Sequence, residues 1–181
     1  GGSSSGTALP GQYKKSWGVI TNSANATVSV SSLPIKFISL YINGTARNPS
    51  IIISPEKTVP VIMDNAYQYF SINTTNLASG IRSAEITFAI NRSWLEFNNF
   101  DKTTVRLNRF DNGWMPLQTE LTRENASQLT YISTSPGFSY FAITGEIISS
   151  LYPPTQRNET EEKLVCIQVI TPAIRGGECI N

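Results

Sequence analysis

The stretch Ala84-Glu85-Ile86-Thr87-Phe88-Ala89-Ile90 decides how the rest of the chain is read. Ala84, Ile86, Phe88 and Ile90 fall on one side of an extended chain, and Glu85, Thr87 and Ala89 on the other. Successive side chains of a strand point to opposite faces, so this alternation describes a strand with one face against a core. The same period of two recurs at short intervals from Trp17 onward, broken by turn residues. That spacing belongs to a sandwich or barrel. The expected fold class is all-β: an antiparallel, immunoglobulin-like β-sandwich with an N-terminal linker and a C-terminal extension containing an extra strand.

Working toward the N-terminus, residues 58–63 carry Pro60 and read as an edge strand, because proline has no N–H to give a ladder. Residues 50–53 form a short apolar strand stopped by Pro55. Residues 34–42 are apolar except at Lys36 and Ser39 and read as a central strand, ending at the turn pair Asn43-Gly44. Val28 and Val30 alternate with Thr27, Ser29 and Ser31. Residues 1–15 begin Gly1-Gly2-Ser3-Ser4-Ser5-Gly6, which reads as a linker or arm rather than a signal peptide.

Toward the C-terminus, Tyr67, Tyr69 and Ser71 face one way and Gln68, Phe70 and Ile72 the other. Ser93 caps a helical turn over residues 93–98, with Glu96 placed as in a capping box. Val105 and Leu107 point inward, Arg106 and Asn108 outward. Asp111-Asn112-Gly113 is a hairpin signal, with residues 114–121 as the returning strand. Residues 128–133 and 138–144 close the domain, separated by Ser135-Pro136-Gly137, where Gly137 suits a type II turn and Phe138, Tyr140 and Ala142 enter one face. The domain is expected over residues 16–146, followed by a linker over 147–163 and a terminal strand and cysteine loop over 164–181. The terminal strand is Leu164-Val165-Cys166-Ile167-Gln168-Val169-Ile170. Seven residues build no core of their own, so this strand must pair with another sheet.

Charged residues make up only 15% of the chain, below the usual quarter, while 40% are hydrophobic. Serine and threonine make up the difference, a surface chemistry common outside the cell. The net charge of +1 comes from scattered basic residues with no stripe, which argues against nucleic acid as a partner. No apolar run reaches the roughly 18 residues of a spanning helix, so no transmembrane segment is expected in this chain. Cys166 and Cys179 are the two cysteines, and in an oxidising compartment they form a disulfide. Six triplets fit the N-glycosylation acceptor pattern, at Asn25, Asn43, Asn73, Asn91, Asn125 and Asn158. Chance in so Asn-, Ser- and Thr-rich a chain gives about three, so the excess supports an extracellular or cell-surface location.

Several chemistries are missing. The chain has no histidine, so Ser-His-Asp triads and histidine-ligated metals are excluded. Asp101 and Asp111 are the acids best placed to ligate calcium with loop carbonyls, but the Asp-x-[DN]-x-[DN]-Gly loop is absent. No catalytic residue, metal or cofactor is expected, and the chain is read as non-enzymatic. Trp17, Trp94 and Trp114 read as core plugs rather than as platforms for sugars.

The spacing of five blocks carries a resemblance. They are Ala66-Tyr67-Gln68-Tyr69-Phe70-Ser71-Ile72, Ala84-Glu85-Ile86-Thr87-Phe88 with Ser93-Trp94-Leu95, Val105-Arg106-Leu107-Asn108-Arg109-Phe110, Gly113-Trp114-Met115-Pro116-Leu117-Gln118-Thr119, and Ser135-Pro136-Gly137-Phe138-Ser139-Tyr140-Phe141-Ala142-Ile143. Together they resemble the PGF-pre-PGF domain of archaeal secreted and cell-surface proteins. The resemblance implies a β-sandwich module of large surface or S-layer-like proteins, without known catalytic residues. The function expected is a structural building block of an archaeal envelope or extracellular filament. Its partners would be other copies or other envelope proteins. Leu164, Val165, Ile167, Val169 and Ile170 are the candidate donor strand for a neighbouring subunit. The alternative is an adhesin or carbohydrate-binding module acting on surface glycans.

Overall fold

The computed structural model describes residues 11–21, 26–30, 33–77 and 80–147. The chain divides into two compact units, Gly1–Ile148 and Ser149–Asn181, and all described residues belong to the first. The expected terminal strand and cysteine loop lie outside the described residues.

The described part is an all-β sandwich. In chain order its strands are β1 (Tyr13–Ser16), β2 (Val19–Thr21), β3 (Ala26–Ser29), β4 (Ile35–Ile42), β5 (Thr45–Arg47), β6 (Ser50–Glu56) and β7 (Ala66–Thr75). They continue with β8 (Ile81–Asn91), helix α1 (Arg92–Asn98), β9 (Phe100–Phe110), β10 (Trp114–Pro116), β11 (Thr119–Glu124), β12 (Gln128–Ser135) and β13 (Tyr140–Ile147). One sheet has the order β1-β6-β7-β13-β9-β10, the other β11-β12-β8-β4-β3, and β2 pairs with β5 in a small ribbon. All pairs are antiparallel.

The core follows from the alternation. Ala84, Ile86, Phe88 and Ile90 of β8 are all buried, facing Phe70 and Ile72 of β7, Val105 and Leu107 of β9, and Phe141 and Ile143 of β13. Phe70 stacks on Phe141 at 5.3 Å and Phe88 on Tyr131 at 5.4 Å. Each such side chain contributes about 1.5–3 kcal/mol by leaving water. Tyr131 is buried with its hydroxyl satisfied, donating to the Lys102 carbonyl at 2.9 Å, which ties β12 of one sheet to β9 of the other.

Several expectations need correction. Residues 13–15 are not linker: Tyr13 to Ser16 pair with Ile53 to Ser50. Pro55 does not stop β6, which runs to Glu56. The described ladder between β1 and β6 ends at Ile53, so the missing N–H of Pro55 leaves no gap in it. Residues 114–121 are not one strand. The chain breaks at Leu117-Gln118, so that β10 lies in the six-stranded sheet and β11 in the five-stranded one. Gly137 does not take a left-handed conformation; among the described glycines only Gly11 and Gly44 do. The inward residues of β13 are Phe141 and Ile143, with Phe138 only partly buried ahead of the strand. The N-cap position is Asn91, whose side chain makes no capping hydrogen bond, and Ser93 sits inside the first turn, so the capping box is not formed. The hairpin at 111–113 is present, with Asn112 at φ 59°.

Candidate functional site

The fold offers two surfaces with distinctive chemistry: a strap across the outer face of the six-stranded sheet, and the four sheet edges.

The strap is the segment 57–65 between β6 and β7. Sequence alternation suggested an edge strand here; instead it forms no strand and crosses a sheet face. Its anchor residues project outward from that sheet. The Tyr69 hydroxyl donates to the Met63 carbonyl at 2.9 Å and accepts from the Met63 N–H at 2.6 Å. The Trp114 indole N–H donates to the Val61 carbonyl at 2.7 Å. Gly145 N–H reaches the Asn65 carbonyl at 3.4 Å. Tyr69 and Trp114 also touch one another, ring centroids 5.9 Å apart, and Trp114 meets Phe110 edge-on at 5.3 Å. Between these rings the outward positions Ala142 and Asn108 are buried. Asn108 was expected in water; instead its amide donates to Thr144 Oγ1 at 2.9 Å and to the Ala142 carbonyl.

With its polar groups held down, the strap turns apolar side chains outward. Val61 is 51% exposed and Ile62 77%. Contiguous exposed apolar surface is a common feature of interaction sites. Sequence reasoning missed these residues because Val59, Val61 and Met63 alternate like a strand.

The sheet edges differ in a way that bears on association. An open edge offers unpaired N–H and C=O groups to any passing strand, and proteins commonly block it with charge, proline, shortness or a bulge. β1 carries exposed Lys14 and Lys15. β10 has three residues and ends in Pro116. β11 carries exposed Glu120, Arg123 and Glu124 and a register shift between Leu121 and Arg123. β3 reads Ala26-Thr27-Val28-Ser29, with no charge and no proline. Among the described residues its outer side has no neighbouring strand.

The titratable groups form surface pairs. Glu124 accepts from Lys102 at 2.7 Å and from Arg92 at 2.5 Å, and these cations hold its carboxyl below the usual range. The Thr103 backbone N–H, with its hydroxyl, does the same for Asp101. Asp101 and Asp111 are not brought together: they stand ten residues apart along β9 and just beyond it, about 33 Å at strand rise. Asp111 pairs with Arg109 instead. A shallow depression beside α1 is lined by Arg92, Leu95, Glu96, Phe100 and Lys102 among others. Among the described residues no group of three metal-ligating side chains occurs, and no helix is long and apolar enough to cross a membrane.

The three tryptophans are all half-buried. Trp17 and Trp94 pack against the core, Trp94 between Tyr67 at 4.9 Å and Phe100 at 5.1 Å. Four glycosylation acceptors are described and all are exposed: Asn43 in the turn after β4, Asn73 on β7, Asn91 at the helix cap and Asn125 in the β11–β12 turn. Asn125 Oδ1 accepts from Ser127 N, Ser127 Oγ and Gln128 N. Asn25, Asn158, Cys166, Cys179 and the candidate donor residues Leu164, Val165, Ile167, Val169 and Ile170 lie outside the described residues.

The class this arrangement defines is a β-sandwich with a strap across one face and, among the described residues, an uncharged, proline-free strand at one sheet edge. Comparison with family models, curated proteins and solved structures gives no match.

Proposed function

We propose that this protein is a non-catalytic building block of an extracellular or cell-surface assembly, joined to further copies or other envelope proteins. The observation that carries this reading is the strap, which holds Val61 and Ile62 in water through hydrogen bonds from Tyr69 and Trp114. A monomer gains nothing from such a surface, while an assembly gains by covering it. The resemblance to the PGF-pre-PGF domain supports an archaeal envelope or S-layer-like filament, with a Cys166–Cys179 disulfide and sugars on exposed asparagines. Strand donation through the segment Leu164 to Ile170 is the proposed means of linking copies.

The experiment is light scattering on a sizing column with native, unreduced full-length chain, alongside Ile62→Ser. Masses at multiples of one chain, reduced by the substitution, are the expected result. A single-chain mass at high concentration would overturn the reading.

A further inference from the structure

We infer that a sugar chain carried on Asn91 lies along the groove beside α1, with Glu96, Asn99 and Asp101 as its hydrogen-bond partners. The inference rests on the surface-protein reading above, which puts sugars on exposed asparagines. It adds which asparagine carries one and what holds the sugar.

The groove is two depressions in a row. The smaller, about 340 Å³, is lined by Asn91, Arg92, Ser93, Glu96, Ala126 and Ser127. The larger, about 530 Å³, shares Arg92 and Glu96 with it and continues over Leu95, Asn99, Phe100 and Asp101. That size falls within the roughly 300–1,000 Å³ of small-molecule sites. Two acceptor triplets meet at the near end, Asn91-Arg92-Ser93 and the last two residues of Asn125-Ala126-Ser127. Arg92 fastens them together. Its guanidinium donates to the Asn125 carbonyl through Nε at 3.2 Å and Nη2 at 2.9 Å, and its backbone N–H donates to the Ser127 carbonyl at 2.9 Å.

The described acceptor asparagines differ in what their side chains already do. Asn125 Oδ1 accepts three hydrogen bonds from Ser127 and Gln128. Asn73 Nδ2 donates to Ser71 Oγ at 3.5 Å. Asn43 lines neither depression. Asn91 is exposed and lines the groove; it stands at an N-cap position, where asparagine ordinarily bonds to the helix, yet makes no capping bond. Its carboxamide nitrogen is open to reaction. The sugar donor is, by class, a glycan joined through its anomeric carbon to a lipid phosphate and presented by a transferase. Asn91 Nδ2 forms the new bond to that carbon. The carbon–oxygen bond to phosphate breaks, its electron pair leaves on the phosphate, and the nitrogen gives up one proton.

The groove suits a sugar. Its floor is apolar, with Leu95 and Leu129 buried and Phe100 partly so. Its rim is made of acceptors: the Glu96 and Asn99 side chains make no hydrogen bond, and Asp101 Oδ1 takes both bonds from Thr103, leaving Oδ2 open. A sugar ring presents C–H groups on its face and hydroxyl donors at its edge, which matches an apolar floor with a few placed polar groups. Arg92 and Lys102, which would draw an anion, are already paired with Glu124. A glycan tethered at Asn91 has an effective concentration in the groove of about millimolar, so an open groove holds it without the affinity a free sugar would need.

The test uses native full-length chain. Glycopeptide mass spectrometry gives the occupancy of each asparagine, and hydrogen exchange over residues 92–102 reports on the groove. Asn91→Gln and Ser93→Ala each abolish the acceptor, the second while keeping the asparagine, and Asn43→Gln is the control. The expected result is sugar on Asn91, with exchange over 92–102 several-fold faster in both variants and unchanged in the control. In chain produced by a host without the transferase, parent and variants should exchange alike. Sugar on Asn91 with unchanged exchange in both variants would overturn the groove assignment. An equally large rise in the sugar-free variants would overturn it too, since the side chains and not the sugar would be responsible. Asn91 bare while another asparagine is occupied would overturn the inference and leave the surface-protein reading standing. No sugar on any asparagine of native chain removes the glycosylated reading itself.

Discussion

The indole N–H of Trp114 donates to the carbonyl of Val61, 2.7 Å away and 53 residues earlier in the chain. This one bond fastens the middle of the strap to β10. Trp114→Phe keeps a ring against Phe110 and Tyr69 but removes the donor. The expected loss is about 1 kcal/mol of stability, the usual net value of such a bond. More telling is limited proteolysis, which should cut within 57–65 several-fold faster than in the parent. Unchanged cleavage would mean that Tyr69 and the Gly145 N–H hold the strap without it.

Phe141 and Phe138 separate two readings of the closing strand. Phe141 is fully buried and stacked on Phe70, whereas Phe138 is only partly buried. Phe141→Ala is expected to cost about 3–5 kcal/mol and Phe138→Ala clearly less, by denaturant unfolding. Equal costs would contradict the placement of β13.

Alkaline stability should depend on Tyr131. Burial pushes its phenol well above the ordinary value near 10, because the charged form is poorly solvated there. The folded state therefore keeps its proton where the unfolded chain loses it. The sign follows: this contribution is whole below about pH 10 and falls above it, by up to about 1.4 kcal/mol per pH unit. Tyr131→Phe should be less stable at neutral pH, having lost its bond to Lys102, yet decline less steeply between pH 10 and 12. Parallel pH curves for the two proteins would refute the burial argument.

Much of the sandwich could be read from alternation, because each strand's inward face is a local property. Ala84 to Ile90, Val105 with Leu107, and residues 34–42 all lie where that pattern puts them. Apart from the local misreadings at Ser93 and Gly137, the rest share a cause: they concern what long-range pairing decides. Asn108 alternates as an outward residue and is outward, yet it is buried because Tyr69, Trp114 and the strap come from distant parts of the chain. Residues 114–121 alternate well enough to be one strand, and only the pairing of β11 with β12 shows the change of sheet. The candidate site was hidden for the same reason. The lack of charge around Thr27 is visible in the sequence, but that β3 ends its sheet among the described residues is seen only in the strand order. The donor segment and the cysteines lie outside the described residues, where local pattern remains the whole of the reading.

β13 lies in the middle of its sheet, bonded to β7 on one side and β9 on the other. A pull applied at Ile147 along β13 is delivered to both neighbouring ladders. Its ladder bonds run across that direction, so they resist in shear and must fail together rather than peel one by one. A pull along β13 is thus shared by two ladders at once, an arrangement that suits a strand under load.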